Sequence, residues 1–161
     1  MSTTFTHRTT FDADIELVWQ MLGDPEFLQQ KASAGGHAEV VVRDDQRTVT
    51  VSRMVTAELP SAARSLLGES VVLTETQRWG QRATDGSYTA HLDVTVPGAP
   101  LTVSGQLQLR PLSKGCTLDI NVDISVRLAF IASMAEGLVR DHLAAAVTRE
   151  EAVGAAWLQQ R

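Results

Sequence analysis

The sequence predicts an α+β fold: an antiparallel sheet of about seven strands, two short helices after the first strand, and a long C-terminal helix. Three observations carry this. Between residues 38 and 126, apolar and polar residues alternate in run after run. Short turn segments separate these runs, which suits strands that pair antiparallel with one wet face and one buried face. The stretch from about Phe130 to Gln160 reads as one helix, and it is long enough to cover the apolar face that alternating strands must bury.

Residues 3–11 place Phe5, His7 and Phe11 at one parity between threonines, a first strand with His7 turned inward. Ile15, Val18, Trp19 and Leu22 then fall at i, i+3, i+4 and i+7, one face of a helix. Asp12 or Asp14 is expected to cap its start, and Gly23 to end it. Asp24-Pro25-Glu26 restarts a short helix that ends by Ala34-Gly35-Gly36. Strands follow at Ala38 to Val42 and through Val49, Val51 and Val55, joined by Asp44-Asp45-Gln46. Glu58 to Gly68 breaks the alternation, and its Pro60–Leu67 portion reads as a short helix or a loop at the mouth of any cavity. Val71 to Trp79 resumes the sheet. Asp85-Gly86 turns into Tyr88–Val96, Pro97-Gly98-Ala99-Pro100 into Leu101–Arg110, and Lys114-Gly115 into Cys116–Val126.

The chain of 161 residues suits a single domain, 1–161, with a real core. A net charge of −5 and 14 scattered Lys and Arg residues argue against a nucleic-acid surface, which needs clustered cations. No run reaches the ~18–20 apolar residues of a membrane span. The opening Met1-Ser2-Thr3-Thr4 has no basic region ahead of an apolar stretch, so no secretory signal is expected and a cytoplasmic location is the default. Cys116 is the single cysteine, and His7, His37, His91 and His142 show no metal-ligand spacing. No phosphate loop and no nucleophile elbow is present. The expected sites are therefore neither metal nor catalytic, with no cofactor.

Phe11-Asp12-Ala13-Asp14-Ile15-Glu16-Leu17-Val18-Trp19, followed by Leu22-Gly23-Asp24-Pro25-Glu26, resembles the opening of the START-like (SRPBCC, Bet v 1-like) superfamily. Within it the chain is most similar to the actinobacterial DUF2505 group, through Glu58-Leu59-Pro60, Leu66-Leu67-Gly68, Glu75-Thr76-Gln77-Arg78-Trp79, and a last helix with Glu136, Glu150-Glu151 and Trp157-Leu158. The resemblance spans essentially the whole chain. It implies a helix-grip fold, in which a curved sheet and the C-terminal helix enclose an apolar cavity. It also implies a lipid-, sterol- or polyketide-like ligand, and it carries no catalytic assignment.

Candidate ligand-contacting residues come from parity and helical phase. Arg53 shares the parity of Val49, Val51 and Val55; Glu75 and Gln77 share that of Val71, Leu73 and Trp79. If the apolar residues face inward, so do these, unless a bulge flips the register. On the last helix, with Ile131 as origin, Leu138, His142, Ala145, Arg149, Val153 and Ala156 fall within about 40° at 100° per residue. The ligand-binding expectation is Arg53, Glu75, Gln77, Trp79, Leu138, His142, Ala145 and Arg149. The plainer alternative is an Arg149 that snorkels to the surface and a His142 bonded to a carbonyl. The leading functional expectation is a non-enzymatic binder or carrier of a small hydrophobic ligand, monomeric or homodimeric. The alternatives are a cyclase, dehydratase or isomerase using His142, Glu75 and Arg53 in the same cavity, and an interaction module presenting Leu143, Val147 and Leu158.

Overall fold

The computed structural model describes residues 2–32, 36–44, 46–55, 71–127 and 132–161. Strand β1 (Thr3–Phe11) leads into helices α1 (Ile15–Leu22) and α2 (Pro25–Ala32). Strands β2 (His37–Arg43), β3 (Gln46–Val55), β4 (Val71–Trp79), β5 (Tyr88–Thr95), β6 (Leu101–Pro111) and β7 (Cys116–Val126) follow, then the long helix α3 (Ala132–Gln159). The strands form one seven-stranded antiparallel sheet in the order β1-β7-β6-β5-β4-β3-β2. β2 to β7 are thus a meander, and α1 and α2 carry the chain from β1 at one edge to β2 at the other. The helix-grip architecture is as expected. The Glu58–Gly68 segment lies outside the described residues.

Alternation survives into three dimensions because the ladders run without a bulge. On β3, Val49, Val51 and Arg53 are buried; on β4, Leu73, Glu75, Gln77 and Trp79; on β5, Tyr88, Ala90, Leu92 and Val94. Two glycines sit where the backbone leaves no room for a side chain. Gly115 adopts φ 81° in the β6–β7 turn, where a side chain would run into the Phe11 carbonyl. Gly105, mid-strand on β6, faces Val122 of β7, and a Cβ there would sit 2.6 Å from the Val122 Cα. The strands approach at that point more closely than any side chain allows.

The α1 stripe buries Ile15, Val18 and Leu22 as its spacing predicts, and Met21 with them. Trp19 stays half-buried because it stacks on Tyr88 at 3.9 Å, with the Arg47 guanidinium 3.5 Å above its other face. Burial there pushes the Arg47 guanidinium down to about 10. Asp14 is the N-cap of α1, but its carboxylate makes no cap hydrogen bond; only its carbonyl accepts, from Leu17 and Val18 N–H. Asp24 does cap α2, accepting from Phe27 N–H at 3.2 Å, and it also accepts from the Trp157 indole at 2.7 Å.

The rotation of α3 corrects the helical-wheel expectation. Its buried residues are Glu136, Ala146, Val147, Gly154 and Trp157, so the inner face lies about 100° round from the predicted stripe. Leu138, Ala145, Arg149 and Ala156 are exposed. The wheel weighted apolar residues alone, whereas polar contacts set the phase. Glu136 accepts from Thr3 Oγ1 and from Val126 N–H, each at 3.0 Å, and Glu151 meets His7 Nε2 at 2.6 Å. The apolar surface proposed for an interaction module is consequently turned inward: Val147 is buried, and Leu143 and Leu158 pack against the core.

The Gly105→Ala variant is expected to lose about 2 kcal/mol or more of unfolding free energy, since backbone rather than a yielding side chain opposes the added methyl. Urea denaturation monitored by tryptophan fluorescence measures it; a loss below ~0.5 kcal/mol would contradict the close-approach account.

Candidate functional site

Between the sheet's concave face and helices α2 and α3 lies a cavity of about 60 Å³. Most of its wall is apolar, including Phe5, Phe27, Leu92, Val103, Ile120 and Leu143. One side of the wall is charged. Lys31 from α2, Arg53 from β3, Glu75 and Gln77 from β4, and Glu150 from α3 converge there.

Each arrives for a local reason. Phe27, Leu28 and Lys31 sit at i, i+1 and i+4 on the buried face of α2. Arg53 and Glu75 hold the inward parity of two paired strands. Val51 lies opposite Glu75 and Arg53 opposite Leu73, which makes Arg53 and Glu75 diagonal neighbours on one face. Glu150 follows Glu136 by about four helical turns, so both fall on the inner face of α3.

Lys31 Nζ donates to Glu75 Oε1 at 2.8 Å and lies 3.3 Å from Glu150 Oε1. Gln77 Nε2 donates to the same Glu75 Oε1 at 2.6 Å, and its carbonyl accepts from the Trp79 indole at 2.9 Å. Arg53 Nη2 stands 3.8 Å from Glu75 Oε2, too far for a hydrogen bond. Among the described residues, Arg53 Nε has no hydrogen-bond partner.

Burial opposes every charge in this group, and the partners decide the outcome. For Lys31, burial lowers the pKa, but Glu150 and Glu75 outweigh it and the ammonium is held above its usual range. For Glu75, burial raises the pKa, but Lys31, Arg53 and Gln77 outweigh it and the carboxylate is held below the usual range. Glu150 goes the other way: burial and the nearby Glu75 raise its carboxyl against the pull of Lys31 and Arg53. The cluster therefore keeps a protonated amine and an ionised carboxylate beside a carboxyl that resists ionisation. A lysine held as ammonium is no nucleophile, so imine chemistry at Lys31 is disfavoured.

Of the residues expected from sequence, Arg53, Glu75, Gln77 and Trp79 line this cavity. Leu138, Ala145 and Arg149 do not, because α3 is turned the other way and exposes them. His142 is half-buried, with a buried Nε2 that has no hydrogen-bond partner among the described residues. Burial, then repulsion from Arg53 and Arg149, lowers its pKa. Lys31 and Glu150 were missed. Both had a signal: Lys31 through its spacing from Phe27, Glu150 through its phase with Glu136. Cys116, buried and donating to the Ala13 carbonyl, has its thiol pushed up to about 11 by burial, which suits packing rather than reactivity. Among the described residues no group of three or more His, Cys, Asp or Glu is arranged to hold a metal, and no helix is long and apolar enough to cross a membrane.

A curved antiparallel sheet closed by a C-terminal helix over a walled space is the helix-grip fold. The chain belongs to the family described as "Protein of unknown function (DUF2505)", which it matches over residues 6–158. Solved structures share the fold at low identity. TTHA0849 from Thermus thermophilus is 14% identical with a TM-score of 0.60, over 96% of this chain and 98% of that one. The Zhui aromatase/cyclase from Streptomyces sp. R1128 is 16% identical with a TM-score of 0.60, over 100% and 97%. A norcoclaurine synthase from Thalictrum flavum is 12% identical with a TM-score of 0.58, over 99% and 96%. No curated protein gives a significant match.

Two variants separate the roles of the charges. In Lys31→Met, Glu75 and Glu150 lose the cation between them and keep only the more distant Arg53, and a loss of about 3–5 kcal/mol at pH 7 is expected. Glu75's depressed pKa contributes stability above its unfolded value, which is lost as pH falls through the folded value. The variant lacks that contribution, so its deficit should narrow toward pH 4. Glu150's raised pKa has the opposite sign: its contribution is present below the unfolded value and is lost as pH rises. Glu150→Gln is thus expected to be at least as stable as the parent at pH 8, with the difference vanishing at acid pH. Thermal melts across pH 4–8 read both, and a Glu150→Gln variant clearly less stable at pH 8 would refute the assignment.

Proposed function

We propose that the chain binds a small, mainly apolar molecule in the cavity between sheet and α3, with the Lys31–Arg53–Glu75–Glu150 cluster orienting its polar end. The observation that supports this is the composition of the wall: apolar on most sides, with charged groups gathered on one side only. Such a wall rewards burial of an apolar body at about 25 cal/mol per Å² and leaves orientation to a few polar contacts.

The volume constrains the ligand. About 60 Å³ accommodates a few waters, below the ~150 Å³ of a cavity that binds benzene and the ~300–1,000 Å³ of ordinary ligand pockets, so even a single ring needs the walls to give way. A lipid chain, sterol or polyketide requires α3 to move away from the sheet. The kinship in fold with an aromatase/cyclase and a norcoclaurine synthase is compatible with either a carrier or an enzyme.

A second reading, acid–base chemistry on such a ligand, has one specific observation in its favour: a carboxyl that resists ionisation stands beside an ionised carboxylate in the same cavity. In that reading Glu150 delivers a proton to the ligand's carbonyl oxygen while solvent water takes the proton from carbon, because Glu75 is held too tightly by Lys31 and Gln77 to act as base.

Toluene titrated into methyl-labelled protein is expected to shift the resonances of Leu92, Val103, Val122 and Leu143. The larger neutral dye N-phenyl-1-naphthylamine tests whether the walls open. No methyl shift and no dye fluorescence would sink the binding reading. For the enzymatic reading, acetylacetone should exchange its central protons with deuterated solvent faster in the presence of the protein, and Glu150→Gln should abolish that acceleration.

A further inference from the structure

We propose that the free edge of β2 is a self-association surface, on which a second copy of this chain pairs its own β2 antiparallel about a two-fold axis at Val41.

β2 is the last strand of the sheet and is paired on one side only, with β3. Alternate residues of such a strand turn N–H and C=O away from the sheet, a row ready to bond another strand. Folded proteins usually blunt an edge with lysine, proline, a bulge or an inward-pointing charge. β2, with the sequence His37-Ala38-Glu39-Val40-Val41-Val42-Arg43, has none of these. It pairs with β3 in unbroken register, and its concave-facing residues Ala38, Val40 and Val42 are all apolar. Val42 is 65% exposed on that face and Val41 is 37% exposed on the other.

The opposite edge of the sheet is built differently. Phe5 and Phe11 are the only apolar residues of β1, and the α3 carboxylates of Glu136 and Glu151 reach Thr3 and His7 there. A β2–β2 pairing also closes on itself, whereas β2 against β1 of the next copy would run on into a filament.

Charge selects the register. Across a two-fold axis, residues that stand equally far from the axis residue, on either side of it, lie opposite each other, with their side chains on one face. With Val41 on the axis, Glu39 meets the partner's Arg43 and Arg43 meets the partner's Glu39. Val40 meets the partner's Val42 on the concave face. Glu39 and Arg43 are exposed, and neither has an ion pair among the described residues. Moving the axis to Val40 sets Arg43 against His37, and moving it to Glu39 sets two Glu39 carboxylates against each other. Moving it to Val42 carries Glu39 past the end of the strand. Val41 is therefore the axis at which the opposed pairs are apolar or oppositely charged, and like charges opposite one another are unfavourable.

Sedimentation equilibrium on the full chain, from about 5 to 500 µM, reads the association, since small edge interfaces lie at the weak end of the range. The expected result is a mass that rises from one chain toward two. Glu39→Arg should weaken the dimer by about tenfold or more, and combining it with Arg43→Glu should restore it. Val41→Cys puts a thiol on the axis, where opposed Cα atoms stand about 4.5–5.5 Å apart, within disulfide reach. Mild oxidation should therefore link Val41→Cys into covalent dimers about tenfold or more faster than Val42→Cys, which lies off the axis. Cys116 is buried and does not compete. A chain that stays monomeric across the whole range overturns the proposal, whatever else pairs with the edge. A dimer that Glu39→Arg leaves intact, or equal cross-linking through positions 41 and 42, overturns the assignment to β2 in this register.

Discussion

The contact on which the molecule most depends is the Lys31 ammonium held between Glu75 and Glu150. It joins three elements that are far apart in sequence: α2, β4 and α3. Each carboxylate alone would suffer desolvation beside the other, and the amine alone would lose its charge in such a setting. Together they hold two helices against the concave sheet at a point where apolar packing is incomplete. Buried ion pairs of this kind give little net stability over a hydrophobic replacement, while breaking one is severe. Their worth here is in geometry. The pair fixes which face of α3 looks at the sheet, and so which side chains wall the cavity.

The remaining polar contacts of α3 act in the same direction. Glu136 ties its first turns to β1 and β7, Glu151 meets His7 on β1, and Trp157 donates to Asp24 at the cap of α2. Together with Lys31–Glu150 they pin the helix along its length. Between these pins the helix presents small or modest residues, Ala146, Val147 and Gly154, with the last resting on Met21 and Phe27. A helix fixed by polar pins and thin in apolar bulk leaves unfilled space beneath it. That is the physical origin of the cavity.

Around the cluster the polar groups form a directed series. The Trp79 indole donates to Gln77, and Gln77 donates to Glu75, which also accepts from Lys31. Both donors, Lys31 and Gln77, meet Glu75 Oε1, and with Arg53 they hold the Glu75 carboxyl below its usual range. Arg53 and Glu150 lie outside the series, one with an unmatched donor and the other with a carboxyl shifted toward its neutral form.

Much of the fold was legible because it depends on local periodicity. Strand parity predicted the inward placement of Arg53, Glu75, Gln77 and Trp79, since a ladder without a bulge transmits parity faithfully from residue to residue. The α1 stripe, the Asp-Pro start of α2 and the glycine turns are equally short-range. The phase of α3 was not legible in its hydrophobic pattern. Alanines populate all its sides, and its inner face carries Glu136 and Glu150, residues that a sequence pattern assigns to water. Their burial becomes favourable only where Thr3, the Val126 amide and Lys31 supply partners, from segments as much as 133 residues away. The sequence by itself determined which residues alternate, where the chain turns, and the family to which it belongs. Only the tertiary structure decided which helix face meets the sheet and which charges share the cavity, because those choices depend on desolvated pairs that no single segment contains.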